Sequence, residues 1–241
     1  MKKIEIQTRF KKLLADVYTP VGIYLRLRDR FRDTILLEST DFHAGENSYS
    51  FIGINAVAGI EICNNAFIEY KLPGLKPEKI AIDKPATVPG HLWDFMNRFD
   101  IKPTEQKQVN IAQGLFGYTT YDAVQFFDSI SLLKDKKENS QPASTNDIPL
   151  MRYRLYQYII VINHFKDELF ICENVIKGIE SDIDVVESLI KSKDVPAFPF
   201  KTSTEETSNL TNEAYIEIVK KGIASCHRGD VFQIVLSRKF E

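Results

Sequence analysis

The side chains best suited to catalysis or metal binding are scattered along this sequence. None of the histidines has a partner at the spacing that a metal site or a catalytic pair requires. The cysteines are odd in number, widely separated and contain no CxxC pair, which predicts free, reduced thiols rather than a disulfide framework or a zinc site. The residues concerned are His43, His91, His164 and His227, and Cys63, Cys172 and Cys226.

Glycines and paired carboxylates are equally unspecific. The sequence contains neither GxGxxG nor GxxxxGK[ST], and Gly114 and Gly117 are spaced too loosely for a phosphate-binding loop. Neighbouring acidic residues such as Asp182 and Asp184 are more typical of a helix surface than of an acid and base pair. Spacing alone therefore predicts an α+β domain with an incomplete sheet and no recognisable catalytic motif.

Composition narrows the classes of partner. The 241 residues are 44% apolar and 27% charged, with 31 basic and 33 acidic side chains and a net charge of -2. This balance lacks the basic surface that nucleic-acid binding requires. No stretch approaches the ~20 apolar residues of a membrane span, and the first residues do not form a signal peptide. We expect a cytoplasmic protein whose partners are small molecules or other proteins, with no nucleic acid and no membrane.

Local patterns predict a β-rich first third. A helix should begin at Thr19-Pro20, because threonine caps free amides and proline is tolerated at the first helical position, and it should end by Arg30. Residues 35–37 read as a short buried strand. Strands follow at 49–54, 57–63 and 66–70, with a tight turn at Asn64-Asn65.

The middle of the chain alternates between helices and strands. The patterns predict a helix over 91–98, a strand over 111–118 and a short aromatic helix over 121–127. A solvated loop over 134–146 precedes a long hairpin, 152–163 with 169–172, and a helix around 183–190.

The last segment has the clearest periodicity. Apolar residues from Ala214 to Cys226 form one stripe of a helix, with Thr211 as its cap and Gly229 as its end. The run over 231–237 then reads as a continuous apolar strand. Because such a strand needs neighbours that pair its edges, we expect this polypeptide to be the opening portion of a longer one.

A series of motifs occurs in order along the chain: Thr19-Pro20-Val21 with Tyr24-Leu25, Leu36-Leu37-Glu38-Ser39, Tyr49-Ser50-Phe51-Ile52-Gly53, Gly114-Leu115-Phe116-Gly117-Tyr118 with Tyr121-Asp122, Asp147-Ile148-Pro149, 208–215 and 228–240. Taken together, these motifs resemble the chorismate-utilising enzymes, most closely the anthranilate synthase component I family. The similarity spans nearly the whole chain, and the joint occurrence of the motifs is far more specific than any one of them.

The resemblance implies a fold and an activity. The fold would be α+β, an antiparallel β-sandwich with flanking helices, here incomplete, with residues 1–200 as the regulatory region and 201–241 as the start of the chorismate-binding region. The complete enzyme would be a lyase of tryptophan biosynthesis that converts chorismate and ammonia to anthranilate and pyruvate with Mg²⁺, the ammonia coming from a glutamine amidotransferase subunit, component II. The family's metal-binding glutamates and chorismate-binding residues lie in its carboxy-terminal half. We therefore expect no catalytic or metal-binding residue in this chain, and no activity from it alone.

The resemblance also implies three site residues. In the family, the feedback inhibitor L-tryptophan binds a pocket built around the Leu-Leu-Glu-Ser segment, which makes Ser39 an expected tryptophan contact and Glu38 a weaker companion. Gln233 would neighbour the active site. Relatives that use water carry a lysine at the matching position, and the neutral amide of Gln233 cannot take a proton at pH 7, which favours ammonia as the nucleophile.

Three alternatives remain open. Aminodeoxychorismate synthase component I shares fold and substrate, but its strand commonly reads Asn-Leu-Ser where this sequence has Val235-Leu236-Ser237. The chain could instead be a non-catalytic tryptophan-sensing or partner-binding module. The third alternative is a purely structural α+β domain.

Overall fold

A computed structural model describes residues 3–39, 45, 48–63, 66–130, 148–196, 199–201 and 205–240. The chain divides into two compact units, Met1–Pro196 and Ala197–Glu241.

Unit 1 is built on a nine-stranded sheet in the order β5-β4-β3-β8-β9-β1-β6, with β2 beside β3 and β7 beside β8. Every pairing is antiparallel except that of β1 with β6, which is parallel. The strands are β1 (Ile4–Leu14), β2 (Ile35–Leu37), β3 (Tyr49–Cys63), β4 (Phe67–Lys71), β5 (Glu78–Ala81), β6 (Phe99–Ile101), β7 (Phe116–Thr119), β8 (Met151–Asn163) and β9 (Glu168–Ile176).

Two long strands, β3 and β8, run side by side through the middle of the sheet. The two strands predicted over 49–54 and 57–63 are one strand, bent by a bulge at Ala56 and Ala58 and by Asn55, whose φ is 57°. A bulge inserts an unpaired residue and increases the local twist. Before the bulge β3 lies between β2 and β8, and after it between β4 and β8. The turn predicted at Asn64-Asn65 and the loop predicted over 134–146 lie outside the described residues.

The mixed α and β architecture with a large, mostly antiparallel sheet is confirmed. The described strands of unit 1 form one continuous sheet, so the sandwich of two sheets with flanking helices stays a prediction. Strand β2 is less buried than the sequence predicts. Its first two residues are half-buried, and Leu37 is exposed. The reason is that, among the described residues, β2 pairs with β3 alone and so lies at an edge.

The helices of unit 1 are α1 (Pro20–Leu27), α2 (Val88–Met96), α3 (Lys107–Asn110) and α4 (Ile183–Lys191), with 3-10 turns at Pro85–Thr87 and Tyr121–Phe126. The predicted helices near 20, 91 and 183 and the short aromatic helix at 121 are all present. The strand predicted over 111–118 is wrong in its first half, since only residues from Phe116 onward pair with a neighbour.

One face of the sheet carries the core cluster that places α1 and α4. Ile52 and Ile160 of the central strands pack with Ile23 of α1 and Val186 of α4, and each of these side chains is almost fully buried. Removing such side chains from water contributes roughly 1.5 to 3 kcal/mol each. These contacts therefore hold α1 against the sheet, and with it the start of the segment that joins α1 to β2.

The amino-terminal cap of α1 gives a first testable prediction. Thr19 Oγ1 accepts a hydrogen bond from the Gly22 amide at 3.0 Å, and Pro20 follows at the first helical position. We expect Thr19→Ala to lower the free energy of unfolding by about 1 kcal/mol in urea denaturation, because this amide loses its partner. Thr19→Ser keeps the oxygen and should be close to the unmodified chain. Equal stability of Thr19→Ala would show that the cap contributes nothing.

Unit 2 contains α5 (Asn212–Arg228), whose predicted bounds are confirmed. Thr211 accepts a hydrogen bond from the Ala214 amide at 3.2 Å, and Gly229 ends the helix with a φ of 78°, a conformation that glycine adopts without strain. The predicted apolar stripe is only partly covered, since Gly222 is buried while Ile223 and Cys226 are exposed.

The strand predicted over 231–237 is wrong. A strand needs a neighbour that pairs with its N–H and C=O groups, and no described residue supplies one for these positions. The segment instead lies against α5, where the Tyr215 hydroxyl donates to the Leu236 carbonyl at 3.3 Å and Leu236 approaches Gly222. Within the described part of unit 2, the β-type pairing is one antiparallel bridge between Ser208 and Phe240.

Candidate functional site

The predicted effector residues directly follow β2. The last residue of that strand, Leu37, pairs with Phe51 of β3, and Glu38 and Ser39 come next with both side chains exposed. Neither side chain makes a hydrogen bond or an ion pair within the part of the chain that the structure describes. A serine hydroxyl can both donate and accept, so Ser39 is available to a polar ligand.

A serine–histidine contact lies beside this segment, at the start of β3. Ser50 is fully buried, and its Oγ lies 2.7 Å from Nε2 of His164, the residue that follows β8. The His164 amide also donates to the Ser48 carbonyl at 3.0 Å. Sequence reasoning found no partner for His164, because 114 residues separate it from Ser50. Since a fully buried hydroxyl cannot reach a substrate, we assign this pair the role of fastening β3 to the turn after β8.

A second polar group lies at the other end of β2. Asp33 has a φ of 49°, in the left-handed region that aspartate tolerates better than most residues. Its Oδ1 accepts a hydrogen bond from Arg152 Nη2 of β8 at 2.6 Å. Two residues further along β8, Arg154 pairs with Glu61 of β3. These ion pairs fix the chain just before β2 against the central strands.

Asp33, Arg152 and Arg154 line a cavity of about 290 Å³, which we call the β2–β7 cleft. Tyr156 lies in it with 3% of its surface exposed, and burial, together with the Asp33 carboxylate, raises the pKa of Tyr156 to about 12. Its hydroxyl forms no hydrogen bond with any residue that the structure describes. The lining consists of Asp33, Thr34, Ile35, Phe116, Gly117, Tyr118, Arg152, Arg154 and Tyr156.

Two glycines leave the space that this cleft needs. A Cβ on Gly53 would lie 2.7 Å from the Tyr156 ring, and one on Gly117 would lie 1.8 Å from the Arg152 carbonyl oxygen. Both distances are far below van der Waals contact. In the sequence, Gly117 stands out only as part of a family motif and as a glycine spaced too loosely for a phosphate-binding loop; the requirement for a residue without a Cβ becomes apparent once its neighbour across the sheet is known.

Gln233, the expected neighbour of the active site, belongs to unit 2. Its side chain is exposed, and the residues around it form the unpaired segment described above rather than a strand. Its role stays a prediction, as do those of Ser39 and Glu38.

The other described side chains that could take part in catalysis or metal binding do not form a cluster. Among the described residues, no group of three or more His, Cys, Asp or Glu side chains is placed to hold a metal ion. They therefore do not form the carboxylate ligand set that Mg²⁺ would need. Burial raises the pKa of the Cys172 thiol to about 12, so it is not a nucleophile at neutral pH. His43 lies outside the described residues.

No helix among the described residues is both long and apolar enough to cross a membrane.

Comparison with known proteins gives consistent matches. Residues 65–241 match the family model described as chorismate binding enzyme. Component 1 of anthranilate synthase from Lactococcus lactis is 23% identical, and that from Aquifex aeolicus is 26% identical, each over 96% of this chain. A chloroplastic anthranilate synthase alpha subunit from Arabidopsis thaliana is 24% identical, also over 96%.

The chain spans about half the length of the curated relatives it matches, 48%, 47% and 40% for these three. Among solved structures, anthranilate synthase component I from Streptococcus pneumoniae is similar with a TM-score of 0.48 and 20% identity, over 95% of this chain and 48% of that one.

Proposed function

The chain belongs to the chorismate binding enzyme family, and from that premise we propose that it is the amino-terminal half of an anthranilate synthase component I. The proposal rests on two agreeing matches. The family model matches residues 65–241, and relatives named anthranilate synthase component 1 align with 96% of the chain. These relatives are about twice as long as this chain, which supports a part of the enzyme rather than the whole of it.

The proposed reaction converts chorismate and ammonia to anthranilate, pyruvate and water. Ammonia forms a C–N bond with the ring, the ring hydroxyl leaves, and the enolpyruvyl group is then eliminated as pyruvate, which leaves the aromatic amine. We expect Mg²⁺ as a cofactor and a component II amidotransferase as the source of ammonia. The described residues offer no metal site, so we do not expect any of them to hold Mg²⁺.

The rival within the family is aminodeoxychorismate synthase component I, which uses the same substrate but places the ammonia at a different ring carbon. The Val235-Leu236-Ser237 sequence, in place of the Asn-Leu-Ser common in that rival, favours the anthranilate branch. We propose a cytoplasmic location, which the balanced charge of the chain supports.

The 241-residue chain alone should not turn over chorismate, because its described residues lack the acidic cluster that a metal-dependent lyase needs. The test is incubation with chorismate, ammonium and Mg²⁺, followed by anthranilate fluorescence, with a characterised anthranilate synthase as the positive control. Robust turnover by the chain alone would contradict the proposal that this half of the enzyme is inactive by itself.

For regulation, we propose that L-tryptophan inhibits the complete enzyme through Ser39, with Glu38 as a weaker contact. Inhibition requires that tryptophan bind one arrangement of the enzyme better than another. The exposed, unpaired state of both side chains supports their availability to a ligand.

Ser39→Ala should weaken inhibition by L-tryptophan about 2- to 10-fold, because one hydrogen bond contributes about 0.5 to 1.5 kcal/mol. The measurement is a tryptophan titration of anthranilate formation by the product of the complete reading frame. Ser181→Ala is the matched control, since Ser181 is also exposed in unit 1 but far along the chain. Identical titration curves for Ser39→Ala and the unmodified enzyme would remove Ser39 from the effector site.

A further inference from the structure

We propose that the β2–β7 cleft is a binding site for a small aromatic monocarboxylate, separate from the Glu38 and Ser39 segment. The cleft lies wholly within unit 1 and is lined by β2, β7 and β8. Its volume of about 290 Å³ is at the lower end of the roughly 300–1,000 Å³ typical of small-molecule sites, which limits the ligand to a single ring with a short polar group.

The guanidinium groups of the lining are the feature that suits an anion. Arg152 and Arg154 line the cleft with Asp33, and Glu61 of β3 forms ion pairs with both arginines from outside the lining. The charges of these four side chains balance, so the cleft offers a ligand N–H donors rather than a net charge. Guanidinium groups suit a carboxylate because their N–H donors match its two oxygens.

Donors remain available once the existing ion pairs are counted. Arg152 uses Nη2 for Asp33, while its Nε lies 3.7 Å from Glu61, beyond hydrogen-bond distance. A guanidinium has five N–H donors, so a carboxylate could join this group without displacing Asp33.

The Tyr156 hydroxyl is the observation that points to a ligand rather than to a structural ion-pair network. Tyr156 has only 3% of its surface exposed, it lines the cleft together with Asp33 and the two arginines, and its hydroxyl has no hydrogen-bond partner among the described residues. The hydroxyl is therefore a free donor at the wall of the cleft. A carboxylate oxygen held by the arginines would accept its hydrogen bond.

The apolar wall of the cleft suits a flat ring. Phe116 of β7 and Ile35 of β2 contribute apolar surface, and the Phe116 ring is itself backed by Phe51, with ring centroids 5.5 Å apart. A ring on Phe116 would keep the offset or tilted geometry that aromatic pairs prefer.

The cleft is also held in shape before any ligand arrives. Gly53 leaves room for the Tyr156 ring, Gly117 allows β7 to approach β8, and the ion pair of Asp33 with Arg152 fixes the residue before β2. A site that needs no rearrangement loses less free energy on binding.

Benzoate is the probe, titrated into the 241-residue chain labelled with ¹⁵N. We expect saturable shifts of the amide signals of residues around the cleft, with Gly117 and Asp33 among them. Tyr156→Phe should weaken benzoate at least about 10-fold, because it removes a hydrogen bond to a charged group. Benzyl alcohol keeps the ring but lacks the negative charge, so it should bind the unmodified chain no more tightly than benzoate binds Tyr156→Phe.

The controls separate this site from the proposed function. Tyr121→Phe alters a tyrosine that is 86% exposed outside the cleft and should leave benzoate affinity unchanged, as should Ser39→Ala. Thermal unfolding of Tyr156→Phe checks that the variant is folded, and Arg152→Gln gives a second variant that should also lose benzoate. Absence of saturable shifts at the cleft, or equal affinity of Tyr156→Phe and the unmodified chain, would overturn the proposal whether or not the complete enzyme makes anthranilate.

Discussion

Replacing Ile160 with alanine should lower the free energy of unfolding by about 2 to 5 kcal/mol, the range for large-to-small changes in a packed core. Ile160 is fully buried at the centre of β8, where it pairs with Ile52 of β3 on one side and Ile171 of β9 on the other. Its cluster also holds α1 and α4. The change removes apolar contacts and leaves a cavity that the surrounding strands cannot close.

Urea denaturation followed by circular dichroism measures this loss. Val185→Ala is the control, because Val185 is half-exposed on α4, and its truncation should change stability by no more than about 0.5 kcal/mol. If Ile160→Ala were as mild as Val185→Ala, β8 could not be the centre of the core.

Gly117→Ala should destabilise unit 1 by about 3 kcal/mol and disrupt the pairing of β7 with β8. The new Cβ would lie 1.8 Å from the Arg152 carbonyl oxygen, which is a backbone atom of the central strand and cannot move aside as a side chain can. Either β7 separates from β8 or the central strand distorts. Hydrogen exchange should accordingly accelerate at β7 amides that pair with β8.

Gly90→Ala is the matched control for this substitution. Gly90 lies on the exposed side of α2, a Cβ there would meet no atom within 4 Å, and alanine is the better helix former by roughly 0.5 to 1 kcal/mol. The two variants should therefore change stability in opposite directions. A neutral Gly117→Ala with protected β7 amides would contradict the close approach of the two strands.

The elements that the sequence predicts well are those defined by neighbouring residues. The bounds of α5 follow from Thr211, the apolar spacing and Gly229, all within the helix or one residue from it. The hairpin of β8 and β9 follows equally from local alternation and a short turn.

The elements that the sequence missed depend on distant partners. Strand β1 alternates Ile4 and Ile6 with polar residues, but its later part is rich in basic side chains, and its partner β9 lies more than 150 residues away. The opposite error occurred over 231–237, where an apolar run suggested a strand although no described segment pairs with it.

The cleft was invisible for the same reason. Asp33 and Arg152 are 119 residues apart, so no spacing motif could associate them. Tyr156 read as one more aromatic residue in a buried strand, and Gly53 as part of a family motif. Only the register of β3 with β8 shows that this glycine accommodates the tyrosine ring.

Anthranilate formation by the product of the complete reading frame tests the central claim most directly. We expect the frame to continue in phase beyond codon 241, and its product to release fluorescent anthranilate and pyruvate from chorismate and ammonium. A frame that stops at that codon, or a gene product that aminates chorismate at a different ring carbon and releases no anthranilate, would contradict the assignment to anthranilate synthase component I.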